Sequence, residues 1–440
     1  MLKSNVSKQF LIFGFLTEII YLLFYFIEPL RKHLGDQSFT LHNGYLFLLV
    51  VVLLISALII YILSYQRITE NNVNLKTIII FFILFNLTLL FIWPIGSSDI
   101  FGYIYQSRII SEYHANPYLT PYDAFPGDNF YPLIKNQWST NTTPYGPVWV
   151  IIGSILSFVG KNNLVFTLLL FKLFFILINF LNFYLIYKIS NSVKAVFLYA
   201  WNPLILYEFA LNGHNDVLII FFVLLGLFFF LQQNKVKNYI LSWIFLIFSV
   251  LIKFYTIIFL PILFLFSLFN LKTKKEKLCF SFTAVLTAVI MAVLFFLPFG
   301  VGLKVFSGIQ TQLLRTNMIL SSMTILIFSF LFYLLHINNY FNLANIIGKI
   351  IFLISYCVTA IKIFFNRRGL TKNDILKYFF FIYFIIITTA LSWLMPWYLV
   401  LLIVLLILNF KNFLSILYLK NNAILYSITL YGILYYIFLR

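Results

Sequence analysis

The sequence predicts an all-α protein threaded repeatedly through a lipid bilayer, and three observations carry that reading. Hydrophobic residues make up 62% of the 440 and charged residues 10%, too few charges to coat a water-soluble globule of this size. Apolar runs recur from end to end at lengths that suit a membrane, where about 20 residues at 1.5 Å rise cross the hydrocarbon. The connections between runs are mostly short, so the backbone must satisfy its own hydrogen bonds as helix. The alternating segments of about 10 residues that a membrane β-barrel needs are not seen.

Thirteen spans are expected, at 9–28, 44–64, 77–95, 164–187, 195–210, 217–232, 238–252, 254–270, 278–297, 343–365, 375–392, 396–410 and 421–439. Residues 1–440 then form a single polytopic membrane domain. Lys3 and Lys8 precede an apolar stretch that contains Glu18 and lacks a clear small-residue cleavage site, so the first helix reads as retained. Lys and Arg gather in cytoplasmic loops. With the N-terminus inside, that side collects Lys188 and Lys194, Lys235 and Lys237, the cluster from Lys272 to Lys277, and Arg367 to Lys377. The arrangement requires 145–160 and 318–336 to enter the membrane and return, as re-entrant or interfacial helices. The formal charge of +18 is dispersed in small groups at helix ends, which marks topology and not a nucleic-acid partner. Cys279 and Cys357 both lie inside apolar runs and form neither a disulfide framework nor a zinc site.

The acidic residues fall mostly on the opposite face. Glu28, Asp36, Asp99, Glu112, Asp123, Asp128, Glu208 and Asp216 are all placed outside, eight of the twelve. The longest polar stretch, 96–144, is there too and is expected to be an extracytoplasmic catalytic loop. It carries Tyr103, Tyr105, Tyr113, Tyr118, Tyr122, Tyr131 and Trp138. Aromatics at that density argue for an ordered segment along the membrane interface.

Asp99 follows Trp93-Pro94-Ile95-Gly96-Ser97-Ser98 and opens a helical stretch at 100–113. Ser98 or Asp99 could simply cap that helix. Equally, a carboxylate at the rim of the hydrocarbon is partly desolvated and suited to work as a general base. A second polar group, Asn212-Gly213-His214-Asn215-Asp216, follows Asn202-Pro203 and Glu208. It reads as a tight turn with Asp216 capping the next helix, yet it holds more polarity than a turn requires. Lys253 stands alone between two short apolar halves, and Arg315 lies in an outer loop. Each either snorkels to the interface or neutralises an anionic headgroup. Tyr145 and Trp149 suit an interfacial belt, and Trp393, Trp397 and Tyr398 suit either that belt or a stack on a sugar ring. No metal-ligand spacing is evident: a divalent cation is possible but not indicated, and no cofactor is expected.

Taken in order, these segments form a pattern. Ser98-Asp99-Ile100-Phe101-Gly102-Tyr103, Gln106-Ser107-Arg108, Asn116-Pro117-Tyr118 and Thr143-Pro144-Tyr145-Gly146-Pro147 come first. Asn202-Pro203, Gly213-His214-Asn215-Asp216, Ile252-Lys253 and Pro396-Trp397-Tyr398 follow. The ordered set, spanning roughly residues 90 to 400, resembles the polyprenol-phosphate-mannose-dependent mannosyltransferases of the GT-C superfamily. Phe, Ile, Asn and Lys stand where better-known relatives carry Ala, Leu, Val and Arg. The resemblance implies a multi-pass cell-membrane enzyme whose active site is extracytoplasmic. It implies that Asp99 is the catalytic base, with the His-Asn-Asp motif and Lys253 around the site. The residues expected to hold substrate are Tyr103, Arg108, Tyr145, His214, Asn215, Asp216, Lys253, Arg315, Trp397 and Tyr398.

The expected reaction moves a hexose, mannose by resemblance, from a polyprenyl-phosphate donor to a glycan or glycolipid acceptor, with inversion. No Gly-rich fingerprint or βαβ unit is present to hold a nucleotide sugar. The competing reading is a transporter or flippase of lipid-linked sugars, which predicts ionisable residues at mid-membrane and broken pseudo-symmetric helices. Here only Glu18, Lys172 and Lys349 lie well inside apolar runs.

Overall fold

Helix is the regular structure throughout the described residues of the computed structural model, which are 2–30, 44–67, 74–134, 140–300, 302–308, 310, 320–409 and 421–438. The single β-type pairing among them is an isolated antiparallel bridge between Pro29 and Ile92. In chain order the helices are α1 (Leu2–Ile27), α2 (Gly44–Arg67), α3 (Leu75–Leu90), α4 (Asp99–Ser111), α5 (Pro147–Gly160) and α6 (Leu164–Ser190). Then come α7 (Val193–Ala200), α8 (Pro203–Leu206), α9 (Asp216–Leu231), α10 (Val236–Val250), α11 (Phe259–Asn270) and α12 (Lys274–Phe296). The last are α13 (Met323–Leu334), α14 (Tyr340–Phe365), α15 (Asp374–Thr389), α16 (Pro396–Leu408) and α17 (Asn421–Phe438).

Short polar side chains set many of the boundaries. Asn74, Asn163 and Thr273 each accept a backbone N–H at the start of α3, α6 and α12, and Thr273 and Glu276 form a reciprocal capping box. Asn191 ends α6 in the left-handed conformation at φ 47°, which asparagine tolerates better than most residues. The expected span 195–210 is divided. Asn202 caps α8, accepting from the N–H groups of Leu204 and Ile205 at 3.0 and 3.3 Å, and Pro203 takes the first helical position, where its missing N–H costs nothing. From Tyr207 to Leu211 the helix widens into a π turn.

By length and composition, five helices among the described residues suffice to cross a membrane: Lys8–Ile27, Leu48–Arg67, Leu164–Ser190, Lys274–Phe299 and Tyr340–Phe365. A sixth arises if Pro203–Leu211 and Asp216–Leu231, bent by 116°, count as one broken span. The other expected spans are mostly shorter apolar helices or broken ones. The segments expected to dip and return contain α5 and α13, with 14 and 12 residues. At 1.5 Å per residue they are about 21 and 18 Å long, less than the ~30 Å hydrocarbon thickness.

Among the short helices α16 is central. All of its residues except Tyr398 are buried, and it packs against α6, α7, α8, α9, α15 and α17. A helix that is apolar all round belongs inside the protein, and its N-terminus carries Trp397 and Tyr398 up to the candidate site. From α6 the wholly buried Lys172 donates from Nζ to the carbonyls of Leu89 at 2.8 Å and Ile92 at 2.5 Å. It thereby satisfies the C-terminal end of α3, whose carbonyls lack helical partners, just before the chain turns towards Asp99.

Asn202 gives a direct test of the divided helix. Besides capping α8 it donates from Nδ2 to Thr429 Oγ1 on α17 at 3.0 Å. Asn202→Ala should cost about 1–2 kcal/mol, the upper range for a lost cap, read as a lower thermal midpoint of the detergent-purified protein. Thr429→Val, which removes the tie and the Thr429 hydroxyl's bond to the Leu425 carbonyl but spares the cap, should cost less.

Candidate active site

The site is built from helix ends that meet. The connector between α3 and α4 is tied to the break before α9 by the Gly96 N–H, which donates to Asn212 Oδ1 at 3.0 Å. At that break Gly213 has φ 73°, and a Cβ on it would lie 2.5 Å from Ile100 Cδ1, so both backbone and space demand glycine. The tight turn brings His214 and Asp216 against the start of α4. The loop before α5 is stitched to the end of α10, with the N–H groups of Gly146 and Val148 donating to the carbonyls of Ile252 and Leu251 at 2.9 and 3.1 Å. A Cβ on Gly146 would come within 2.1 Å of the Leu251 oxygen, and this approach sets Tyr145 beside Lys253.

Neither aspartate acts as a helix cap. The N-cap of α4 is Ser98, which makes no side-chain cap hydrogen bond, and Asp99 is the first helical residue. Asn215 precedes α9 in the same way. Asp99 Oδ2 instead lies 3.9 Å from His214 Nδ1, and the other ring nitrogen of His214 lies 3.2 Å from Glu208 Oε2. Glu208 Oε1 accepts from the Tyr436 hydroxyl at 2.7 Å. The imidazole stacks on Trp397, with centroids 3.9 Å apart and planes at 21°.

Alongside, Lys253 Nζ donates to Asp216 Oδ2 at 2.7 Å, while Tyr255 OH donates to Asp216 Oδ1 at 3.3 Å. The Lys253 ammonium also sits 5.5 Å from the Tyr145 ring centre and 5.2 Å from that of Tyr398, within cation–π range. The Asp99 side chain is 12% exposed. Burial pushes its carboxyl above the usual carboxylate range; His214 and Lys253 pull it back, and Asp216 adds a smaller upward push.

Asp99 opens into a narrow cleft lined by Gly102, Tyr103, Tyr122, Asn141, Thr142, Pro144, Tyr145 and Gly308. Nearby, the buried Asn215 amide has no hydrogen-bond partner at either its oxygen or its nitrogen, an unusual state for a buried polar group. Among the described residues no group of three or more His, Cys, Asp or Glu side chains is spaced to hold a metal ion.

Asp99, Tyr103, Tyr145, His214, Asn215, Asp216, Lys253, Trp397 and Tyr398 thus belong to one connected neighbourhood. Arg315 and Trp138 lie outside the described residues. Three participants were absent from the sequence-derived set. Glu208 was counted among the outer-face acids and with the polar group at 212–216, but was given no role of its own. Tyr255 and Tyr436 gave no signal, being tyrosines in a chain that holds 29.

Residues 27–268 match the family described as alpha-(1->6)-mannopyranosyltransferase, N-terminal domain, which is more than half of the chain. The chain belongs to this family. The matched stretch contains Asp99, Tyr145, Glu208, His214, Asp216 and Lys253, whereas Trp397, Tyr398 and Tyr436 lie beyond it. Among curated proteins, alpha-(1->6)-mannopyranosyltransferase A of Corynebacterium glutamicum is 24% identical over 155 residues, covering 34% of this chain and 31% of that protein. An alpha-(1->6)-mannopyranosyltransferase of Mycobacterium tuberculosis is 27% identical over 166 residues, covering 35% of this chain and 27% of its own length. The chain therefore spans about a third or less of these relatives. No solved structure matches.

Arg108, also inside the family match, departs from expectation. Its guanidinium is committed to Asp128 through Nε at 2.9 Å and Nη2 at 2.8 Å, and it also donates to the Lys161 carbonyl and to Asn162 Oδ1. Phe130 covers it at 4.2 Å, and Tyr113 OH donates to the same Asp128. The pair is buried and pins α4, the loop and the α5–α6 turn together, so Arg108 organises the loop and is not among the cleft-lining groups. Asp128→Asn should leave the Arg108 charge buried without its partner, at a cost of about 3–5 kcal/mol. The check is a lowered thermal midpoint together with faster proteolysis within 112–134.

Proposed function

We propose that this protein is a membrane glycosyltransferase that moves a hexose, in the simplest case mannose, from a polyprenyl-phosphate donor to a glycan or glycolipid hydroxyl. The observation that carries the reading is the partly buried Asp99 carboxylate at the cleft, with His214 3.9 Å away. Family membership supports it, as do the names of the relatives, which are alpha-(1->6)-mannopyranosyltransferases.

In the proposed step the acceptor oxygen attacks the anomeric carbon from the side opposite the phosphate. Its proton passes to Asp99, and the bond from the anomeric carbon to the phosphate oxygen breaks with its electron pair leaving on the phosphate. One in-line displacement inverts the centre. A carboxyl raised by burial suits the base role, because its basicity approaches what proton transfer from a hydroxyl needs. Among the described residues Lys253, which acts on Asp99 and pairs with Asp216, suits meeting the departing phosphate and stabilising charge as it develops. Asn215, with its amide unsatisfied, suits hydrogen bonding to sugar hydroxyls.

The reading puts the site on the extracytoplasmic face and the N-terminus in the cytoplasm, with residues 188–194 inside. Asn191→Cys, in a chain with Cys279 and Cys357 replaced by Ser, should resist an impermeant thiol reagent on intact cells and react after permeabilisation. Labelling from outside would reverse the orientation beyond α5.

The chemistry is tested with radiolabelled polyprenyl-phosphate sugars and isolated membranes. Asp99→Asn and Asp99→Ala should each lower transfer by about 10²–10⁴-fold, the usual contribution of a general base. Because Asp99 caps no helix, neither variant should lose the ~1 kcal/mol of a missing cap. An active Asn variant would remove Asp99 from the base role, and loss confined to Asp216→Asn would move it to the other carboxylate. A transporter of lipid-linked sugars predicts no labelled product in any variant.

A further inference from the structure

Glu208 neither lines the cleft nor meets a lysine or arginine within ion-pair distance among the described residues, and its side chain is completely buried. Its contacts nevertheless lead to Asp99. One carboxylate oxygen is held by Tyr436 OH at 2.7 Å, and the other faces His214 Nε2 at 3.2 Å. The remaining ring nitrogen faces Asp99 Oδ2 at 3.9 Å, while the flat face of the ring lies on Trp397. Each nitrogen of one imidazole therefore lies near a carboxylate oxygen, although neither ring nitrogen nor Glu208 Oε2 makes a hydrogen bond. A charged ring so placed is attracted by both carboxylates, whereas a neutral one leaves two acids facing each other across it with no charge between them. The stacked indole adds a surface that favours a cation. Lys253 is already paired with Asp216 at 2.7 Å.

We infer that Glu208 is a positioning residue for the proposed transfer, holding His214 as a charged ring beside Asp99 so that the Asp99 carboxylate stays ionised and able to accept the acceptor's proton. The inference rests on the transferase reading above. The 3.9 Å separation is long for a hydrogen bond, but catalytic hydrogen bonds commonly tighten only when substrate is bound. Around Asp99 the acting groups are His214, Lys253, Asp216 and Ser97. Burial favours its protonated form, and the His214 charge opposes that. Loss of the Glu208 charge frees the ring to lose its proton, and Asp99 then protonates at higher pH. The direct repulsion of Asp99 by Glu208 acts the opposite way, but across the full width of the ring, so the nearer charge dominates.

The test is the pH dependence of kcat/KM, measured with the purified full-length chain, radiolabelled polyprenyl-phosphate mannose and membrane acceptors. Glu208→Gln should move the acidic limb upward by about one pH unit, a loss of about tenfold at the foot of the limb, with most activity retained on the alkaline plateau. His214→Gln should move it in the same direction. Tyr436→Phe should move it less, and Glu208→Asp should restore part of the shift. A uniform loss across pH, an unmoved limb or a downward shift would show a purely structural Glu208 and overturn the inference. If Glu208→Gln fails to yield a monodisperse protein, Tyr436→Phe and His214→Gln decide it in the same way. Asp99→Asn keeps the two readings apart: its activity would sink the base assignment itself, while an inactive Asn variant with an unmoved Glu208→Gln limb sinks only this inference.

Discussion

Hydrocarbon offers no hydrogen bonds, so a helix that stops inside a membrane protein must have its open backbone groups satisfied by the protein itself. That constraint organises this molecule, because its candidate site is made from helices that stop. Lys172 answers the carbonyls at the end of α3, Asn202 the amides at the start of α8, and Asn212 the amide of Gly96. Ser322 does the same between α13 and α15, donating to the Ile387 carbonyl and accepting from the Leu391 N–H at 2.7 and 2.9 Å. Lys172, Asn212 and Ser322 each join one break to another element, and Asn202 does so through its further bond to Thr429 on α17. The breaks are thereby drawn into one neighbourhood, and polar side chains that no continuous helix could present arrive together.

The second constraint is charge. Asp99, Glu208 and Asp216 are three carboxylates with little access to water, and Lys253 and the His214 imidazole are the basic groups among them. Lys253 answers Asp216 in a cage of Tyr145, Tyr255 and Tyr398. What remains is a single imidazole between two acids. Unpaired charge in such surroundings is costly, so the state of that ring and the readiness of Asp99 are joined.

Much of this could be read from the sequence, for reasons that differ by residue. The helical membrane architecture follows from composition and run length. Asp99, His214, Asp216 and Lys253 stand out because each interrupts apolar sequence, where a polar group needs a reason to exist. Arg108 misled for the complementary reason: in a polar loop an arginine has many available partners, and nothing in the spacing indicates that Asp128 folds back onto it. Glu208 could be seen but not assigned, since its partners His214 and Tyr436 depend on a turn and on a helix 228 residues away. The thirteen expected spans and the five sufficiently long helices differ because apolar run length counts hydrophobicity without breaks. Residues 195–210 read as one run, yet contain Asn202-Pro203, a cap and the onset of a π turn.

That π turn has a consequence for comparing this chain with others. A π turn, closed by i to i+5 bonds, holds one residue more than the α turn it replaces, and successive residues of an α-helix differ by about 100° in direction. Between Tyr207 and Leu211 the extra residue acts as a phase shift between the helix before it and the motif after it. Chains with the same letters on both sides, but one residue fewer between them, would present a different face to the imidazole. Alignment of Asn202-Pro203 and of Gly213-His214-Asn215-Asp216 is therefore insufficient on its own, and the number of residues separating the two carries as much structural information as the motifs themselves.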